Sequence, residues 1–114
     1  MSTGAIRIGI EELRSLAFGS IGAGYAGIGT AFDNPARILF LQNFTNATLL
    51  FSDDGVTDKI ILPASGFMMV DGTANKTMNQ GLFFAEGSRI YVKQSGVPSS
   101  GSVYLTLFYG DNGY

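Results

Sequence analysis

The chain has 114 residues, 46% apolar and 14% charged, with a net charge of −2 and neither cysteine nor histidine. That length suits one domain with its own core; the missing thiols exclude a disulfide framework or thiolate metal site, and the missing imidazole removes the commonest general base. Ordinary soluble domains carry about 25% charged residues, so partners are expected to cover much of this surface, in a homo-oligomer or a mixed assembly.

The acidic balance argues against nucleic acid, which needs a basic field to displace counterions. The basic residues Arg7, Arg14, Arg37, Lys59, Lys76, Arg89 and Lys93 are scattered along the chain. No apolar run approaches the roughly 18 residues of a membrane helix. The first residues lack the basic start and apolar centre of a signal peptide, so synthesis and folding in a bacterial cytoplasm are expected.

Residues 1–13 read as an extended N-terminal arm, because Ile6, Ile8 and Ile10 alternate with Arg7, Gly9 and Glu11. A helical turn through Glu11-Glu12-Leu13-Arg14 competes, but Gly9 and the β-branched isoleucines oppose it. The arm is expected to dock on a neighbour. Residues 15–18 suit a short strand. The glycine-rich run 19–29 suits a loop or an irregular edge strand. Asp33-Asn34-Pro35 is a turn.

Residues 37–42 form the central strand. Ile38 and Phe40 fall on one side, Leu39 and Leu41 on the other, so both faces ask for cover. A polar link leads to a second strand that ends at Asp53-Asp54-Gly55, a tight turn. Strands follow at 59–62, stopped by Pro63, and at 67–71. A polar loop spans 72–80. Further strands are expected at 81–84, 89–93 and 102–109, with a loop at 94–101. About seven or eight short strands with turns roughly every 8–12 residues indicate an all-β, single-domain antiparallel sandwich, jelly-roll-like, over residues 14–110. Residues 111–114 form a tail.

Several patterns invite chemistry. Gly22-Ala23-Gly24-Tyr25-Ala26-Gly27 has dinucleotide-loop spacing, which works only between a strand and a helix N-terminus. Asp53, Asp54 and Asp58 supply hard oxygens but not the alternating ligands and bidentate glutamate of a calcium loop. Three Asn-x-Thr triplets, at Asn43, Asn46 and Asn75, are read as turn hydrogen bonding. Nothing at fixed spacing supports catalysis, so no catalytic, cofactor or metal residue is assigned, and the chain is expected not to be an enzyme.

The nine Phe and five Tyr outnumber what one small core holds. Phe40, Phe51, Phe67 and Phe108 are assigned to the core. Tyr25, Phe32, Phe44, Tyr104 and Tyr109, with Ile6, Ile8 and Ile10 of the arm, are assigned to an interface.

The phrases Arg14-Ser15-Leu16-Ala17-Phe18-Gly19-Ser20-Ile21, Asn34-Pro35-Ala36-Arg37-Ile38 and Phe51-Ser52-Asp53-Asp54-Gly55 extend into Leu62-Pro63-Ala64 and Asp71-Gly72-Thr73-Ala74-Asn75-Lys76-Thr77. With Arg89-Ile90-Tyr91-Val92-Lys93 and Val103-Tyr104-Leu105-Thr106-Leu107-Phe108-Tyr109-Gly110, they make residues 14–110 resemble small virion structural proteins of tailed bacteriophages. That resemblance implies a compact β-sandwich located in the virion. It would bind and stabilise the capsid shell as a cement or decoration protein, with the major capsid protein or other virion proteins as partners. A neck, tail-hub or fibre-attachment component is the alternative within that class. A β-sandwich module binding host glycans through the loops at 53–58, 72–80 and 94–101 is the alternative outside it.

Overall fold

A computed structural model describes residues 7–71 and 84–111. Nine strands run along it: β1 (Arg7–Ile10), β2 (Arg14–Ala17), β3 (Ala26–Gly27), β4 (Ala36–Asn43), β5 (Leu49–Ser52), β6 (Ile60–Leu62), β7 (Phe67–Asp71), β8 (Tyr91–Gln94) and β9 (Ser102–Asp111). One 3-10 turn, Phe18–Ser20, follows β2. The strands make two antiparallel sheets. The first has five strands in the order β1-β9-β4-β7, with β2 also on β9; the second has four, in the order β3-β8-β5-β6.

β1 and β2 lie end to end on the same edge of β9, pairing with residues 108–111 and 102–105. Taken as one broken strand, they give the eight-strand order of a jelly roll, in which most links cross from sheet to sheet. The expected fold class therefore holds, and its cause is visible in the alternation. Leu39 and Leu41 of β4 sit opposite Leu107 and Leu105 of β9, on the side where side chains from both sheets meet. From the second sheet come Leu49, Phe51, Leu62 and Val92, all buried. Ile28, Phe32 and Ile90 close the core at one end.

The arm differs from expectation. Over Arg7–Ile10 it is an edge strand of the chain's own sheet, because the ten residues of β9 run past β2 and leave backbone groups to be paired. Strands thus extend beyond both proposed boundaries of the sandwich, to Arg7 and to Asp111. The ring of Tyr109 fills the space beside Gly9, where any side chain on the glycine would collide with it.

Two polar nodes tie the layers together. At the break between β1 and β2, Arg14 Nη2 meets Glu11 Oε1 at 3.0 Å, both side chains buried. Arg14 Nε and Nη2 also donate to the carbonyls of Thr30 and Ala31 at 2.8 and 2.7 Å. Glu11 accepts from the backbone N–H of Asp33 and Asn34 at 3.2 and 2.8 Å. Burial opposes the charge on Glu11, but these N–H groups, the Asn34 side chain and Arg14 outweigh it and hold the carboxyl below its usual range.

The second node is Asn43, fully buried at the end of β4. Its Nδ2 donates to the carbonyls of Ala47, Leu62 and Pro63 at 2.9, 3.2 and 3.0 Å. Its Oδ1 accepts from Thr45 N–H and Oγ1 at 3.0 and 2.6 Å. One side chain thereby fixes two links between the sheets. Among the described residues, every buried side-chain nitrogen and oxygen has a partner.

Candidate functional site

In an antiparallel pair, partners across the ladder share a face. The outer face of the five-stranded sheet can therefore be read from register. Ile10 pairs with Phe108, and Phe108 with Ile38. In the next row Thr106 pairs with Phe40, and Phe40 with Met69. Below that Tyr104 pairs with Gln42, and Gln42 with Phe67. Ile8 lies above, opposite Gly110. Phe67 leans on Phe40 edge-to-face, ring centres 5.9 Å apart, and Phe44 does the same to Tyr104 at 5.6 Å.

Ile8, Ile10, Phe67 and Met69 remain 67%, 63%, 68% and 60% exposed, and Phe44 55%. At about 200 Å² for a large side chain, these five leave roughly 600 Å² of apolar surface open, the upper end for the largest patch on a monomer. Half-buried Ile38, Phe40 and Phe108 join the outer members across the strands. The rows contain one carboxylate, Asp71, at the end of β7 opposite Ile38.

The expected interface residues divide. Ile8 and Ile10 are on this face, with Phe44 and half-buried Tyr104 at its lower margin. Ile6 lies outside the described residues. Phe32 is a correction: at 2% exposure it is core, its ring edge-on to Phe84 at 6.4 Å and under the Arg14 guanidinium at 5.8 Å. Tyr109 is half-buried on the inner side against Gly9, away from this face. Tyr25 is on the other sheet, where its hydroxyl donates to Asp58 at 2.6 Å.

Phe67 is the reverse correction. It was expected in the core, but it lies on the outer face of an edge strand while Met68 and Val70 turn inward to join the core. Phe40 and Phe108 are corrected with it, since both were assigned to the core and both lie half-buried on this outer face; with Met69, these residues are the part of the surface that sequence reasoning missed. The signal was present, because residues 67–70 are apolar on both faces, and a strand at the sheet's margin covers only one.

The other candidates for chemistry are spent on structure. No helix follows the glycine run among the described residues; Ala26–Gly27 instead pairs with β8. In the β5–β6 turn, Asp54 accepts from Ser52 Oγ at 2.5 Å and from the N–H of Val56 and Thr57 at 2.8 Å each. These donors, Ser52 first, hold its carboxyl far below the usual range. Asp53 pairs with Lys59 at 2.7 Å, and Asp58 with Lys93 at 3.0 Å. Among the described residues no cluster of carboxylates is arranged to hold a metal ion. Asn46 of the second Asn-x-Thr triplet exchanges hydrogen bonds with Ser99 at 2.7 and 2.9 Å; Asn75 lies outside the described residues.

No protein-family model matches this sequence, and no curated protein matches it. Among solved structures, one from work on Bacillus endospore appendages, described as a family of disulfide-linked pili, is similar over 97% of this chain and 95% of that chain. The identity is 13% and the TM-score 0.46, a likeness too slight to carry an argument.

Proposed function

We propose that this chain is a non-enzymatic structural subunit that works by being covered, with the outer face of its five-stranded sheet as the assembly surface. The observation that carries the reading is the contiguous apolar patch running from Ile8 and Ile10 through Ile38 and Phe40 to Phe67 and Met69, four of whose side chains stay more than half exposed. Leaving such a patch in water is unfavourable by about 25 cal/mol per Å², and a partner recovers that energy. The resemblance of residues 14–110 supplies the setting: a tailed-phage particle, with the chain cementing or decorating the shell. The fold does not choose among roles, since jelly rolls serve as capsid and as lectin domains alike.

The test is the copy number of the chain in purified particles of the phage that encodes it, measured by quantitative mass spectrometry against the major capsid protein. Several hundred copies match a cement role. About six or twelve, as rotational symmetry on an axis imposes, move the chain to the neck or tail. Particles that lack the chain altogether overturn the reading.

A further inference from the structure

The two sheets end in four edges, and three of them are blunted against pairing with another chain. The β1/β2 edge is interrupted at residues 11–13 and carries the buried Arg14–Glu11 pair. β3 is two residues long. β6 is three residues long and lies between Lys59 and Pro63. Short length, interruption, lysine and proline are the usual means by which edge strands avoid one another. β7 has none of these. It runs unbroken through Phe67-Met68-Met69-Val70, ends the sheet, and has no lysine or proline within it. Among the described residues, no strand pairs with its second edge.

We infer that β7 is a self-association edge, at which a second copy of this chain adds its own β7 antiparallel across a two-fold axis through Met69. The occupant follows from the edge itself. Full overlap of two antiparallel copies puts Met69 opposite Met69 of the partner subunit and Met68 opposite Val70 of the partner subunit. The three inner positions then meet apolar side chains, Phe67 stands opposite Asp71 of the partner subunit at either end, and no like charges face each other at the axis. Alternation puts both copies of Phe67 and Met69 on the same side, so the outer patch continues from one subunit into the next. A hydrophilic partner would gain nothing from these side chains. One short edge is less than the roughly 800 Å² per partner of a standard interface, so the dimer is weak and concentration-dependent.

This goes beyond the virion reading and is tested apart from it. Sedimentation velocity of the full chain from about 1 µM to about 1 mM is expected to show a shift from monomer towards dimer. A single-chain mass up to that concentration overturns the inference. Met69→Lys and Met69→Glu are each expected to abolish the dimer while circular dichroism stays native, since the Met69 side chain is 60% exposed. An equimolar mixture of the two variants is expected to restore it, because opposite charges then face each other on the axis. A dimer that survives Met69→Lys, or a mixture that stays monomeric, overturns the assignment of β7. Ile10→Lys, on the same face but three strands away in the order β1-β9-β4-β7, is expected to leave the dimer intact while weakening particle association. The two readings therefore fail separately.

Discussion

The two outer faces of the sandwich are built on the same antiparallel pattern and finished in opposite ways. On the four-stranded sheet, Lys93 stands beside Leu50 in the ladder, bonds Asp58 at 3.0 Å and lies 4.9 Å from the centre of the Tyr25 ring. Arg89 lies 5.7 Å from the centre of the Tyr91 ring and donates from Nε to the Gly29 carbonyl at 2.9 Å. Charged and aromatic groups cover this face, and among the described residues Ile61 is its one large apolar side chain left mostly exposed. Among the described residues, the five-stranded sheet has no comparable set of lysine and arginine side chains over its outer face. That contrast is what the proposed assembly surface rests on.

The strongest way to break this contrast is to give the bare face the finish of the other. Ile8→Lys with Ile10→Lys removes two side chains whose burial is worth about 1.5–3 kcal/mol each. Their loss is expected to lower association with the particle by about three orders of magnitude, read as the fraction of chain that co-sediments with it. The melting temperature is expected to change little, since exposed substitutions shift stability by about 0.5 kcal/mol or less. Ile61→Lys, on the covered face, is the matched control and is expected to leave association unchanged. Equal effects from the two faces would remove the distinction between them.

The second prediction separates what holds the sandwich from what it offers outside. Asn43→Ala takes their amide donor from the buried Leu62 carbonyl and the part-buried Pro63 carbonyl and the acceptor from the Thr45 N–H, while the Thr45 hydroxyl keeps its bond to the Ala47 carbonyl. An unsatisfied buried polar group costs about 1–3 kcal/mol, so a loss near 3 kcal/mol is expected in urea unfolding, with the association of the folded fraction unchanged. A loss below about 1 kcal/mol would show that water replaces the amide there.

These nodes mark the limit of what the sequence made legible. The alternation of the central strands was plain but its inward face was not: Phe40 and Phe108 were assigned to the core, whereas the buried side is that of Leu39, Leu41, Val103, Leu105 and Leu107. Asn43 was read as a turn residue, which it is, but the carbonyls of Leu62 and Pro63 are nineteen and twenty residues away, and no local pattern predicts them. Arg14 gave no signal for the same reason: its carbonyl partners lie at Thr30 and Ala31. Phe67 was misplaced on different grounds. A strand apolar on both faces does not say which one turns inward, and moving its register by a single residue exchanges them.

Acid tests both sheets together. Glu11 pins the edge of the five-stranded sheet, and Asp58 holds the cover of the four-stranded one. Both carboxyls lie below their ordinary values of 4.5 and 3.8 in the folded chain. For Asp58 the Tyr25 hydroxyl is the main cause, then Lys93. A lowered carboxyl contributes stability that is full above its ordinary value and is lost as the pH falls through the folded one. The melting temperature is therefore expected to drop below about pH 4, and Glu11→Gln to flatten that drop while lowering stability at neutral pH.

Alkali tests the covered face, and Tyr25 is the group that reports it. Burial first, then its bond to Asp58 and the nearby Asp58 and Asp54 charges, push its hydroxyl from 10.0 up to about 12. Here the folded chain keeps the proton longer than the unfolded chain does. The contribution is whole below about pH 10 and is lost as the pH rises through about 12. Tyr25→Phe keeps a ring under Lys93 and removes the hydroxyl, so the melting temperature is expected to fall slightly at pH 7 and to decline less between pH 10 and 12. Some decline remains, because the hydrogen bond and charge of Asp53 raise Lys59 above its ordinary 10.5, and that contribution also fades in alkali. If Tyr25→Phe leaves the alkaline slope unchanged, the Tyr25–Asp58 bond is not what finishes this face, and its polar cover rests on the lysine pairs and Arg89.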